Sequence, residues 1–129
     1  MIVVDTNIVA YLYLETTRTA AAERLLRRDA DWAAPLLWRS ELRNVLASEI
    51  ARRGLSLHHA MEIQSEAESL LARHEYEVPS RAVLELAARS QCSAYDCEFV
   101  ALAQALDVPL VTADEQILKA FPKVASRLK

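Results

Sequence analysis

The chain has 129 residues, 53% of them hydrophobic and 26% charged, the balance of one soluble globular domain rather than a disordered segment. Its single glycine, Gly54, excludes a glycine-rich phosphate loop and a dinucleotide fingerprint, since both need several glycines in one turn. The formal charge of −3, from 15 basic and 18 acidic side chains, gives no basic surplus of the kind that marks most nucleic-acid binders.

The 22 alanines and 19 leucines favour helix, but the chain opens on a β-branched run, Ile2-Val3-Val4, that reads as a buried strand. Thr6 or Asn7 can cap a helix over about 7–14. A second helix runs from Thr17 or Thr19 to about Arg28, with Ala20, Ala21 and Leu25 facing inward and Ala22 as a further candidate for that face. Trp32-Ala33-Ala34 is a short strand that Pro35 ends. A long helix over 36–53 stops at Gly54, and Ser56 caps an amphipathic helix over 57–73 that carries His58, His59, Glu62, Glu66 and Glu68. Glu75 to Val78 alternates as a weak strand, and a helix runs from Pro79 or Ser80 to about Ser90. Ser93 caps a helix to Leu106 with Asp96 at its third position, close to a capping box. Pro109 to Thr112 is a second buried strand, 115–121 a short helix that Pro122 breaks, and a small strand closes the chain.

Strands alternating with helices predict an α/β fold with a mostly parallel sheet and right-handed crossovers, in one domain over 1–129. No apolar run approaches the ~18 residues of a membrane span, and the first residues lack the basic head of a signal peptide. Cys92 and Cys97 are five apart, neither a zinc-knuckle nor a redox spacing, and read as small core residues of a cytoplasmic protein.

Several carboxylates stand where apolar side chains are expected. At 100° per residue, Glu41 falls near the middle of the apolar stripe of the 36–53 helix, among Leu37, Trp38, Leu42 and Val45. Asp96 shares a face with Phe99, Val100 and Ala103, whereas Glu98 points to the opposite, solvated face. A buried acid is costly unless it is paired or holds a metal, so each is either a salt-bridge partner, a first-turn helix charge or a ligand. Asp5 and Asp114 follow the two apolar strands, where open parallel sheets bind ligands, although each can also cap the helix that comes next. Four acids in one cleft need a cation, because like charges resist ionising together. Oxygen donors select hard ions such as Mg²⁺ or Mn²⁺, which can activate water for attack at phosphorus. His58, His59 and His74 have no zinc-ligand spacing.

The order Val-Val-Asp5-Thr6-Asn7, Ser40-Glu41-Leu42, Ser93-Ala94-Tyr95-Asp96 and Leu110-Val111-Thr112-Ala113-Asp114 resembles the PIN-domain family, and most of all its small VapC-type toxins, from residue 2 to about 121. The resemblance implies a PIN-like three-layer fold, a central parallel sheet flanked by helices, and a metal-dependent endoribonuclease. By position, Asp5, Glu41, Asp96 and Asp114 would be the acidic quartet that holds Mg²⁺ or Mn²⁺, with Thr6, Asn7 and Thr112 orienting those acids or nearby water. It also implies a cognate antitoxin, often inserting an arginine into the acidic cleft, and a homodimer. The 55–78 segment is outside the family motif and has no assigned task; it reads as a solvated helix or part of a partner surface. A catalytically silent PIN-like module that only binds RNA or protein is the alternative from another class. An aspartyl phosphotransferase with Asp5 as nucleophile would want a second Asp where Asn7 stands.

An RNA substrate needs cations beside the acids. Arg39 and Arg43 flank Glu41 at i−2 and i+2 and are candidate rails. Further groups are Arg18, Arg24, Arg27 and Arg28, and Lys119, Lys123, Arg127 and Lys129 at the C-terminus. Tyr95 can stack on a base; Trp38 adjoins Glu41 but suits core packing better. Glu115 reads as an exposed first-turn glutamate rather than a fifth ligand. Setting four acids aside for a metal leaves the rest of the chain near neutral, so mild acidity does not exclude a nucleic-acid substrate.

Overall fold

A computed structural model describes all residues, 1–129. Strand β1 (Ile2–Val4) leads through α1 (Thr6–Tyr13) and α2 (Thr19–Arg28) to β2 (Trp32–Pro35). Helices α3 (Leu37–Arg53) and α4 (Leu57–Leu71) then lead to the two-residue β3 (Glu75–Tyr76). Helices α5 (Ser80–Ala88) and α6 (Ala94–Leu106) cross to β4 (Leu110–Thr112), and α7 (Glu115–Ala120) connects it to β5 (Ala125–Arg127).

The five strands form one sheet in the order β3-β2-β1-β4-β5, and every pairing is parallel. β1 is central: Val3 lies opposite Ala33 on one side and Leu110 on the other. Both faces of such a strand are covered, which is why residues 2–4 are apolar without a break, why 110–112 are apolar but for Thr112, and why both strands are buried throughout. The chain moves from β1 to β2 in one direction and from β4 to β5 in the other. With right-handed crossovers, α1–α4 therefore cover one face and α5–α7 the other. The reversal lies between β1 and β4, and a crevice opens beyond the carboxyl ends of strands at such a point.

One core of 30 buried residues joins both layers, with Trp32, Trp38, Phe99 and Ile8 among its largest fully enclosed side chains. Trp32 satisfies its indole by donating to the Asp29 carbonyl at 2.8 Å. Cys92 and Cys97 are free and buried. No helix is long and apolar enough to cross a membrane.

Four of the seven helices, α1, α4, α6 and α7, have an N-terminus capped by a local side chain. Ser56 Oγ accepts the His59 amide and Ser93 Oγ the Asp96 amide, while Gly54 closes α3 at φ 70°. A Cβ at Gly54 would meet nothing within 4 Å, so Gly54→Ala isolates the backbone cost of the left-handed conformation. It should lower unfolding stability by about 1 kcal/mol in a denaturant titration. Two local alternatives are decided by the fold. The cap of α1 is Asp5 rather than Thr6 or Asn7, because its carboxylate reaches the Thr6 amide. In α2, Ala20 is exposed, against expectation, and Ala22 is buried with Leu25, since a three-residue step keeps 22 and 25 on one face.

Candidate active site

Asp5, Glu41, Asp96 and Asp114 line one open cleft of about 520 Å³ at the carboxyl edge of the sheet. Four different elements deliver them. Asp5 leaves β1 and caps α1; Glu41 stands near the start of α3; Asp96 lies in the first turn of α6; Asp114 follows β4 and caps α7.

Hydroxyls tie the acids together. Asp5 Oδ1 accepts the Thr6 amide at 2.8 Å, and its Oδ2 accepts the buried Thr112 hydroxyl at 2.7 Å. Thr112 Oγ1 accepts the Asp114 amide at 3.0 Å, so one side chain fixes the turns after β1 and β4 relative to each other. Thr6 Oγ1 donates to Glu41 Oε1 at 2.7 Å and couples α1 to α3. Asn7 Nδ2 lies 3.5 Å from Asp5 Oδ2, and Asn7 Oδ1 is buried without a partner. Asp114 Oδ1 accepts the Gln116 and Ile117 amides, which engages only one of its two oxygens.

The electrostatics are those of acids without counter-charge. No lysine or arginine lines the cleft. Burial pushes Asp5 up from 3.8 to about 6; the Thr112 and Thr6 bonds oppose this, and the charges of Asp96 and Asp114 add to it. Burial also raises Glu41, helped by Asp5, Asp96 and Glu98. Asp96 is raised by burial and then by Asp114. An all-oxygen set with this excess of negative charge suits a hard divalent cation, and the orphaned Asn7 oxygen is a further neutral donor. No three of the acids are already gathered as a metal cage.

The two candidate RNA rails lie elsewhere. Arg39 donates from Nε and Nη2 to Glu75 at 2.6 and 2.7 Å, and from Nη1 to Glu68 at 3.0 Å. Arg43 lines a separate apolar groove between α3 and α4. The reason is geometric: a step of two residues turns about 200° around a helix, so both arginines point away from the Glu41 side. Trp38 is fully buried and donates to Glu75 Oε2 at 2.8 Å, a core role. Tyr95 is 62% exposed at the cleft wall. Glu98 is partly buried rather than solvated, and burial raises its pKa. Glu115 is exposed and pairs with Arg127.

Ser40 and Asn44 also line the cleft. Asn44 was not singled out in the sequence, although its i+3 spacing from Glu41 puts both on one helix face.

The family model of the PIN domain matches residues 2–124. The chain is also 30% identical to Ribonuclease VapC3 of Pyrobaculum aerophilum, over 97% of this chain and 98% of that protein. The chain belongs to the PIN-domain family. The fold agrees: the crystal structure of PAE2754 from Pyrobaculum aerophilum superposes with a TM-score of 0.77 at 23% identity, covering 98% of this chain and 90% of that one. A toxin–antitoxin complex from Klebsiella pneumoniae gives a TM-score of 0.71 at 17% identity, covering 98% and 96%. The PIN fold accounts for the switch-point cleft and for the all-parallel sheet that carries it.

Proposed function

We propose that this chain is a metal-dependent endoribonuclease, the toxin half of a toxin–antitoxin pair, which hydrolyses RNA phosphodiester bonds. The observation that carries this reading is the meeting of four acids from four elements in one cation-free cleft. The 30% identity to a protein named as a ribonuclease, along nearly the whole chain, supports it. Asp5, Glu41, Asp96 and Asp114 would hold Mg²⁺ or Mn²⁺. Such an ion supplies Lewis acidity at the phosphate and a water of lowered pKa. Thr6 and Thr112 hold Glu41 and Asp5 in fixed orientation, so little reorganisation is needed when the substrate arrives. A cognate antitoxin segment carrying an arginine would neutralise the same acids, and the fold shared with a toxin–antitoxin complex is in keeping with such a partner. The reading includes a homodimer working in the cytoplasm.

Single-stranded RNA incubated with the protein and Mg²⁺ or Mn²⁺ tests it: cleavage should appear, stop with EDTA and be lost in Asp96→Asn. RNA that is bound but never cut would favour a silent binding module. Metal should also raise the melting temperature, because it binds the native cleft alone. At 100 times its Kd the gain is about 2.7 kcal/mol. No shift at millimolar metal would sink the metal assignment.

A further inference from the structure

The acidic cleft poses a problem for a polyanionic substrate, since nothing cationic lines it. The counter-charge stands next door. A second groove of about 710 Å³ runs between α7 and the turn that joins α5 to α6; Arg89, from the turn, and Lys119, from α7, both line it. Its size falls in the range of about 300–1,000 Å³ typical of ligand sites. Both cations belong to exposed residues, and neither has a carboxylate within 4.0 Å, unlike Arg39, Arg53, Arg81 and Arg127.

The groove is built from segments that also build the cleft. The turn containing Ser90 and Gln91 runs straight into Ser93, which caps the helix of Asp96. Gln116 follows Asp114, and its amide is held by the Asp114 carboxylate. The two walls are clamped where they meet: Gln116 Nε2 donates to the Gln91 carbonyl at 2.8 Å, and Cys92 Sγ lies 3.8 Å from the Gln116 carbonyl. A strand leaving the acids along α7 therefore meets a fixed channel with two unspent positive charges.

We propose that this groove is a backbone-binding subsite for single-stranded RNA, with Arg89 and Lys119 contacting phosphates of the strand whose scissile bond lies in the acidic cleft. The inference rests on the ribonuclease reading above. A competing account exists for the same two charges. Both sit at helix C-termini, where a cation offsets the partial negative charge of the last carbonyls. That role needs no groove and predicts a small loss of melting temperature with RNA affinity intact.

The salt dependence of RNA binding separates the two accounts. Each phosphate contact to single-stranded nucleic acid adds about 0.7 to the slope of log affinity against log salt. The double variant Arg89→Ala/Lys119→Ala should therefore lose about 1.4 from that slope. Binding of a short fluorescent RNA is read by anisotropy, and KM of cleavage should rise in step. Arg89→Lys/Lys119→Arg should keep the wild-type slope. Arg81→Ala, at the other end of α5 and paired with Glu85, should leave slope and KM unchanged. Cleavage with a wild-type slope in the double variant, or an equal loss in Arg81→Ala, would overturn the groove assignment and leave the nuclease reading standing. RNA bound by the wild type with a slope that falls in the double variant, yet never cut, would sink the nuclease reading alone.

Discussion

Asp5→Asn should lower RNA cleavage by about 10³-fold or more, and it should also raise the melting temperature of the metal-free protein at neutral pH. The second effect follows from linkage. The folded chain holds the Asp5 proton up to about pH 6, against 3.8 for the free group. Ionising this carboxyl therefore costs folding free energy. The cost is absent below pH 3.8, grows as the pH climbs to about 6, and is constant above that. A displacement of about two units corresponds to about 3 kcal/mol. The amide returns part of this gain. Its oxygen can accept the Thr6 amide, but its nitrogen meets Thr112 Oγ1 as a donor, so the Thr112 proton must find another acceptor. A net gain of about 1–2 kcal/mol, or roughly 3–6 °C, remains. Melts in EDTA measure it, and the gain should vanish near pH 4. Saturating Mg²⁺ should reverse the order, because the wild type has the ligand and the variant does not. A neutral-pH melting temperature no higher than wild type in EDTA would show that the acid is not held against an electrostatic cost.

Features of the sequence that act over a few residues were legible in it. The buried strands at 2–4 and 110–112, the caps at Ser56 and Ser93, and the stop at Gly54 each depend on neighbours within one turn. Helix periodicity put Glu41 and Asp96 on inward faces, and the strand ends put Asp5 and Asp114 at the carboxyl edge, but each acid also had a local reading as a cap or an ion-pair partner, and it was the resemblance to the PIN-domain family that joined the four into one set. Features that depend on distant pairing were not legible. Arg39 meets Glu75 across 36 residues, and nothing local distinguishes that arginine from a phosphate contact. The two cations of the second groove lie 30 positions apart in sequence and become neighbours only when α7 packs beside the α5–α6 turn. The 55–78 segment likewise acquires a task only in the fold: α4 supplies Glu68, and the strand after it supplies Glu75.

Glu75→Ala should destabilise the fold by about 3 kcal/mol, a large effect for a residue outside the acidic cleft. Its carboxylate is 10% exposed and accepts three bonds, one from the Trp38 indole and two from Arg39. Truncation strands the Trp38 N–H in the core, at a cost of about 1–3 kcal/mol. Arg39 keeps Glu68, and its side chain is 34% exposed, so the ion-pair share is well below that of a fully buried pair. Glu75→Gln keeps an acceptor for Trp38 and should cost about 1 kcal/mol. The pH sense is opposite to that of Asp5. Arg39 holds Glu75 below its ordinary 4.5, so this contribution is present above pH 4.5 and is lost as the pH falls through the lowered folded value. The network also anchors the start of α3 to α4 and β3, two residues before Glu41. Glu75→Ala should therefore reduce kcat on RNA even below its melting transition, with Glu75→Gln close to wild type. A double-mutant cycle of Glu75→Ala with Arg39→Ala measures the coupling. If Glu75→Ala cost no more than Glu75→Gln, and kcat were unchanged in both, the network would be a surface ion pair with no hold on the catalytic helix.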